Sequence, residues 1–243
     1  MAGEQLAQTV RQQLGIGRVL PLGGPANGSW ITEQAAAGAL RAALGTPSGV
    51  RLGALRLSVA DPVHAHDPVV PAPPTALPPG PLRISAEFAA VADRPLPAVA
   101  DQVRAALLET SVQGLGLVVA AVDLRVTGLL TEDEAGAGRA EPALTTVRPE
   151  KPPVTAEPAG AAAEGPEALA AAALAVSGVA RLAPVLGGRT RAVRRTEGHA
   201  LIQLAVAAGY RALDVAVAVR QAVAALPDPP ETVAVLVTAV DRD

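Results

Sequence analysis

The sequence predicts an α+β protein of two small modules, built from repeated strand-helix-strand units that form small sheets with helices on one face. Segments with apolar residues at every second position, typical of strands, alternate with segments in which they recur every three or four positions, typical of helices. A non-periodic, acidic, Pro/Ala/Gly-rich stretch separates two such regions. The predicted organisation is an N-terminal helix with a Gly/Pro-rich lead-in (1–29), a first module (30–130), a disordered linker (131–166) and a second module (167–243).

The elements of the first module follow from these periods. Between Leu82 and Phe88 apolar and polar residues alternate, which predicts a strand with one buried face. Pro95 and Pro97 then stand at the first turn of an amphipathic helix. The proline-rich residues 61–80 predict an extended surface loop. The other predicted elements are helices over 3–14 and 32–44, the latter capped by Thr32, and strands over 50–59 and 117–129.

The last third of the chain is the most complete unit. Two extended segments, 190–196 and 199–208, flank residues 197–198, which predict a hairpin turn because glycine accepts a positive φ. The remaining predicted elements are a helix over 167–176, a helix over 214–226 capped by Asp214, and a closing strand over 233–238. Residues 215–219 also suit a strand on composition, but the Ala-rich continuation to Leu226 is too long for one.

Parts of this pattern occur more than once. ISAEFAAVADRPLPAVADQVRAAL from Ile84 matches LIQLAVAAGYRALDVAVAVRQAV from Leu201, and VDLRVTGL from Val122 matches VAVLVTAV from Val233. GIGRVLPLGG at 15–24 also nearly repeats the segment 178–188. Ala/Val-rich chains produce such matches by chance, so we treat the internal repeat as a hypothesis. The helices over 32–44, from Leu96 and from Asp214 would then belong to three copies, the first degenerate at its leading strand.

Composition excludes several kinds of function. The chain has no cysteine, so thiolate metal sites and thiol chemistry are excluded. One Phe, one Trp and one Tyr leave almost no platform for stacking bases or sugars, and a net charge of −3 gives no long-range attraction to nucleic acid. Since no apolar run reaches the length of a membrane span, we expect a cytoplasmic protein.

Two histidines have the residue types of a metal site. Asp61, His64, His66 and Asp67 lie close together, and His64 and His66 would share one side of an extended chain. They stand in the proline-rich loop without other ligand types around them, so a solvated loop is the favoured interpretation. His199 has no Ser or Cys nucleophile near it in sequence. We therefore predict no catalytic, cofactor or metal site, and no enzymatic activity.

One dense basic run remains. It consists of Arg189, Arg191, Arg194 and Arg195, of which Arg189, Arg191 and Arg195 share a face of an alternating strand. The favoured interpretation is a protein-docking surface, and the alternative is a strand that contacts phosphates of nucleic acid.

The last third also resembles a known family. The helix from Glu167, the SGV at Ser177, the extended hairpin, ALDVAVAVRQAVAAL and PETVAVLVTAVD together look like the alkaline-shock, or general-stress-like, envelope stress response family of bacteria, over about residues 165–241. The segment 81–130 resembles it more weakly. The N-terminal LPLGGPANGSW is similar to chains of high-GC bacteria that are filed under a nucleopolyhedrovirus fibrous-body family name.

The resemblance implies a non-enzymatic scaffold or adaptor of the envelope stress response, held at the inner face of the cell membrane by a membrane-anchored protein partner. Self-association is implied by the family and also follows from small sheets with exposed edges and one uncovered face. No small-molecule substrate or cofactor is expected. The alternative function is nucleic-acid binding through the hairpin that begins at Arg189.

Overall fold

The structure is a computed structural model. It describes residues 17–45, 49–131, 165–185, 191–196 and 198–242. The helix predicted over 3–14, nearly all of the predicted linker and Arg189 lie outside the described residues.

Helices and strands both contribute to the described part of the chain, which confirms the α+β class. The strands are β1 (Val19–Pro21), β2 (Ser29–Thr32), β3 (Val50–Val59), β4 (Leu82–Val91), β5 (Val119–Leu130), β6 (Val179–Leu182), β7 (Val193–Thr196), β8 (His199–Val206) and β9 (Thr232–Val240). The α-helices are α1 (Glu33–Leu44), α2 (Leu96–Glu109), α3 (Pro166–Leu174) and α4 (Ala212–Ala224). A 3-10 turn (Pro25–Asn27) precedes β2, and a π-helical turn (Thr110–Leu115) extends α2.

The larger sheet has six strands in the order β1-β2-β9-β8-β6, with β7 also paired to β8. The parallel strands β8 and β9 flank α4 in the chain, and β7 and β8 form the predicted antiparallel hairpin. The two near-identical segments at 15–24 and 178–188 contribute β1 and β6, which lie at opposite edges of this sheet.

The N-terminal strands join the C-terminal sheet. β2 pairs in parallel with β9, with Ser29 opposite Val235 and Ile31 opposite Val237. β2 straddles the predicted boundary at residue 30, and β9 belongs to the predicted second module. Their pairing therefore joins the two predicted modules and makes the large sheet wider than the two or three strands expected. Sequence periods report local geometry, whereas this pairing joins residues about 200 positions apart.

The smaller sheet has the order β3-β4-β5. β3 and β4 are antiparallel, whereas β4 and β5 are parallel and are joined through α2. Among the described residues, the arrangement of two parallel strands joined through a helix therefore occurs twice, as β4-α2-β5 and β8-α4-β9. The expected first copy is different, because β2 and β3, on either side of α1, belong to different sheets.

One hydrophobic core joins the two sheets. Ile84 and Phe88 of the small sheet belong to the same buried cluster as Ile202 and Val235 of the large one. Between them α1 packs against both β9 and β3, and α4 packs against β9. Glu33, the first residue of α1, accepts two hydrogen bonds from the Arg18 guanidinium, at 3.0 and 2.8 Å, and a third from the Leu57 amide at 3.2 Å. The predicted modules thus share one interior.

The proline-rich loop also packs against the large sheet, on the face opposite its helices. Val70 of the loop is buried in a second cluster with Trp30 and Leu236. The Val19 amide of β1 donates a hydrogen bond to the Thr75 carbonyl oxygen, and the Val19 carbonyl oxygen accepts one from the Leu77 amide. The prediction of a loop that lies wholly on the surface is therefore wrong at Val70. The physical reason is that this face of the sheet is apolar and requires cover.

The predicted ends of α1 are confirmed, whereas α3 and α4 begin and end one or two residues before their predicted bounds. Thr32 caps α1, with its hydroxyl oxygen accepting a hydrogen bond from the Ala35 amide at 3.2 Å. Asp214, in contrast, lies in the first turn of α4, because the helix already begins at Ala212. There its carboxylate accepts a hydrogen bond of 2.9 Å from Arg211.

Gly116 permits a close approach between the small sheet's helical turn and α4. Its φ is +85°, and a Cβ atom there would overlap with the Cβ of Leu213 in α4. Replacement by alanine should therefore add both left-handed backbone strain and overpacking, and lower the free energy of unfolding by about 2–5 kcal/mol in urea denaturation.

The matched control is Gly209→Ala. Gly209 has a φ of +78°, and a Cβ atom added there would have no neighbour within 4 Å, so only the backbone cost, about 1–2 kcal/mol, should remain. Equal losses in the two variants would show that the contact with Leu213 is not tightly packed.

Candidate interaction surfaces

The predicted arginine surface divides between the two faces of the large sheet. Arg195 lies opposite Ala200, which is buried in the main core, and its guanidinium binds both carboxylate oxygens of Asp228, at 2.8 and 3.2 Å. This hydrogen bond raises the pKa of Arg195 and lowers that of Asp228. Arg195 therefore has its charge compensated within the chain.

Two arginines of the run stay accessible. Arg194 lies opposite Leu201, on the face away from the main core, and Arg191 directly precedes β7. Both are exposed, and neither forms an ion pair with another residue in the part of the chain that the structure describes. The docking surface stays a prediction, and in the described residues its uncompensated charge consists of Arg191 and Arg194.

His199 begins β8 beside these arginines. Its Nδ1 atom lies 2.8 Å from the Thr232 hydroxyl on β9. Burial lowers the pKa of His199, and the positive charge of Arg194 lowers it further. The neutral ring is therefore favoured, and its observed partner is a threonine.

The other histidines lie in the proline-rich loop. His64 Nδ1 is 2.7 Å from Asp61 Oδ2, both side chains are exposed, and this hydrogen bond lowers the pKa of Asp61. His66 and Asp67 are exposed as well. Among the described residues no group of three or more His, Cys, Asp or Glu is arranged to hold a metal ion.

A second candidate surface is the outer edge of β5, which pairs only with β4 in the small sheet. Val126 lies opposite the buried Phe88 and Leu129 opposite the buried Ala90, so both belong to the core-facing side of the strand. They are nevertheless 41% and 60% exposed. This strand carries apolar surface that the described residues leave uncovered.

Sequence reasoning did not identify this edge or the role of Asp228. The alternation of Val122 and Leu124 with Asp123 predicts a strand with one polar face, but it does not indicate which edge of the strand stays unpaired. No local signal connects Arg195 to Asp228, since the two residues are 33 positions apart and meet only when the loop after α4 folds back.

Searches among protein-family models, curated proteins and solved structures found no match to this chain. None of the helices that the structure describes is long and apolar enough to cross a membrane.

The pKa of His199 provides a test of the geometry around β7. Arg194→Gln should raise it towards 6.5, because the neighbouring positive charge is removed. Titration of the imidazole by nuclear magnetic resonance measures the shift, and Arg191→Gln serves as the control because Arg191 does not contribute to it.

The lowered pKa of His199 also determines how the stability of the fold changes with pH. In the folded state His199 binds a proton less readily than in the unfolded state, where its pKa is near 6.5. The free energy of unfolding therefore falls as the pH decreases from about 6.5 towards the pKa of His199 in the folded state. Arg194→Gln should reduce this fall. An unchanged pKa in Arg194→Gln would contradict the described placement of Arg194.

Proposed function

We propose that this protein is a non-enzymatic scaffold or adaptor of the envelope stress response, which self-associates and docks on a membrane-anchored partner at the inner face of the cell membrane. The observation that carries the proposal is the presence of two separate exposed surfaces on two different sheets of one shared core. An adaptor requires at least two such surfaces, one for each contact that it makes.

The surface at β7 supports docking on a protein. Arg191 and Arg194 are exposed and uncompensated in the described residues, while Arg195 is held by Asp228. A small number of exposed cations suits recognition of an acidic protein segment, where complementary charge mainly sets specificity and the rate of association. We therefore assign the membrane-anchored partner to this side of the large sheet.

The surface at β5 supports self-association. An unpaired strand edge offers backbone hydrogen bonds to a second strand, and the half-exposed Val126 and Leu129 add apolar area beside it. The likeness of the last third to the alkaline-shock family agrees with both surfaces. The proposal assigns no substrate, cofactor or metal.

The docking role predicts how the protein partitions in its native cells. The wild-type chain should sediment with membranes, and the double change Arg191→Glu with Arg194→Glu should release most of it, because the charges at the docking surface are reversed. Cell fractionation followed by detection of the protein measures the distribution.

The matched control reverses two other exposed arginines, Arg41→Glu with Arg56→Glu, which lie on α1 and β3. Release by the control as strongly as by the β7 variant would point to general loss of charge. A wild-type protein found entirely outside the membrane fraction would overturn the docking role.

Nucleic-acid binding is the second candidate, favoured only by the same two uncompensated arginines. If it holds, affinity for duplex DNA or RNA should fall steeply with salt concentration and weaken in Arg194→Ala. Affinity that does not depend on salt, or that is unchanged in this variant, would exclude a phosphate-contacting role for β7.

A further inference from the structure

The edge of β5 differs from the other sheet edges in length and in what covers it. At 12 residues it is three times as long as β6 or β7, which have four residues each. The edge of β3 is in contact with Glu33, which accepts a hydrogen bond from the Leu57 amide, and the edge of β1 bonds to the proline-rich loop. In the described residues β5 is therefore the long edge without such cover.

The middle of β5 reads V-D-L-R-V, from Val122 to Val126. When two copies of this segment are placed antiparallel about a two-fold axis at Leu124, Val122 of one copy lies opposite Val126 of the other, and Leu124 lies opposite itself. Asp123 then lies opposite Arg125 of the second copy, twice by symmetry. The segment is complementary to itself in both charge and apolar character, as an isologous two-fold interface requires.

The two faces of β5 agree with this register. Val122, Leu124 and Val126 lie opposite Ile84, Ala86 and Phe88, which are buried, so they share the core-facing side. Asp123 and Arg125 lie on the other side, where both side chains are more than half exposed. Antiparallel pairing about Leu124 keeps each residue on its own face. The small sheets of the two copies would therefore join into one sheet of six strands.

The charges next to β5 extend the match. Within one chain Arg83 of β4 donates a hydrogen bond to Asp123 at 2.7 Å, and Arg125 lies 3.6 Å from Glu87 of β4. In the pair of chains, a row across four strands would run Glu87, Arg125, Asp123 of the second copy and Arg83 of the second copy. Negative and positive groups alternate along this row, and cross-strand pairs of opposite charge stabilise a sheet.

From these observations we infer that β5 is the self-association surface, and that its occupant is β5 of a second copy of this chain, paired antiparallel about Leu124. The inference rests on the self-association in the proposed function and specifies its surface and register. Pairing would also bring Val126 beside Val122 of the second copy and reduce the exposed surface of Val126.

Reversing one charge at a time tests the register. In Asp123→Arg, the introduced arginine of each copy lies opposite Arg125 of the other copy. In Arg125→Asp, the introduced aspartate of each copy lies opposite Asp123 of the other copy. Either change should weaken the dimer by about tenfold or more in sedimentation equilibrium, because both symmetric pairs become repulsive.

An equimolar mixture of the two variants is the decisive arm. An Asp123→Arg chain presents arginine at both positions and an Arg125→Asp chain presents aspartate at both, so a mixed pair restores two opposite-charge pairs in this register. The mixture should form heterodimers with an affinity near that of the wild type. Failure of the mixture to associate would overturn the proposed register.

Arg56→Asp is the matched control. Arg56 is exposed on β3, at the opposite edge of the same sheet, and lies opposite Ser85, which in turn lies opposite Asp123. This variant should dimerise like the wild type. If Arg56→Asp weakened the dimer as much as Arg125→Asp does, the effect of the charge change would not depend on pairing of β5.

Hydrogen exchange of the wild-type protein gives a measurement that needs no variant. Backbone amides of residues 122–126 that point to the free edge should become protected as protein concentration rises through the dissociation constant. Unchanged exchange in this segment across a range in which the protein dimerises would overturn the assignment.

The same variants separate this inference from the proposed function. Asp123→Arg should keep its membrane association through the separate β7 surface. A wild-type chain that stays monomeric in sedimentation would end the β5 inference and the self-association, whereas membrane association would still be decided by fractionation. Dimers that persist in both single variants would overturn the β5 surface alone.

Discussion

The parallel pairing of β2 with β9 is the interaction on which the rest of the structure depends. It fixes the start of α1 beside the large sheet, and α1 then leads directly into β3 of the small sheet. Arg220 of α4 holds this joint from the other side, because its guanidinium donates hydrogen bonds to the carbonyl oxygens of Ala26, Asn27 and Val233. Burial lowers the pKa of Arg220, and the three carbonyl groups compensate for lost hydration. Gly28 is required there, since its φ is +54° and a Cβ would lie 3.1 Å from Arg220 Cζ.

A second set of contacts joins the small sheet to the N-terminal segment and to α4. The carbonyl oxygen of Gly116, which follows the π-helical turn, accepts a hydrogen bond of 3.0 Å from the Gly23 amide, and the Arg211 side chain donates to the Val112 carbonyl oxygen at 3.0 Å. Both contacts join segments that are about 100 residues apart in the chain. Because the N-terminal segment, the π-helical turn and α4 meet here, the two sheets are held by backbone contacts as well as by apolar packing. These contacts join the two sheets that carry the proposed β5 and β7 surfaces.

Local periodicity predicted most elements with small errors at their ends. The alternation in β4 and the spacing in α2 and α4 are strong signals, because each of these elements buries one continuous face, whereas β8 is buried on both faces. The missed strands β1, β2 and β6 have three or four residues, too few to show a period, and exist because longer strands provide partners for them. The candidate surfaces were predicted in part. The arginines are visible as a run in the sequence, but their division between two faces depends on the register of the hairpin. The ion pair between Arg195 and Asp228 depends on the position of the loop after α4, which the sequence alone does not predict.

The edges of the two sheets differ in a way that agrees with the proposed self-association at one surface and the proposed partner at the other. The edge of the large sheet at β6 and β7 is made of two four-residue strands on the same side of β8, and the arginines beside it repel a second copy of themselves. Near β5, negative and positive groups alternate, and the apolar face continues to the end of the strand. Like charge at β7 therefore disfavours a symmetric contact between identical chains, whereas alternating charge at β5 favours one. The two surfaces thus differ in the sign pattern of their charges, and in the proposed function this pattern separates self-recognition from recognition of another protein.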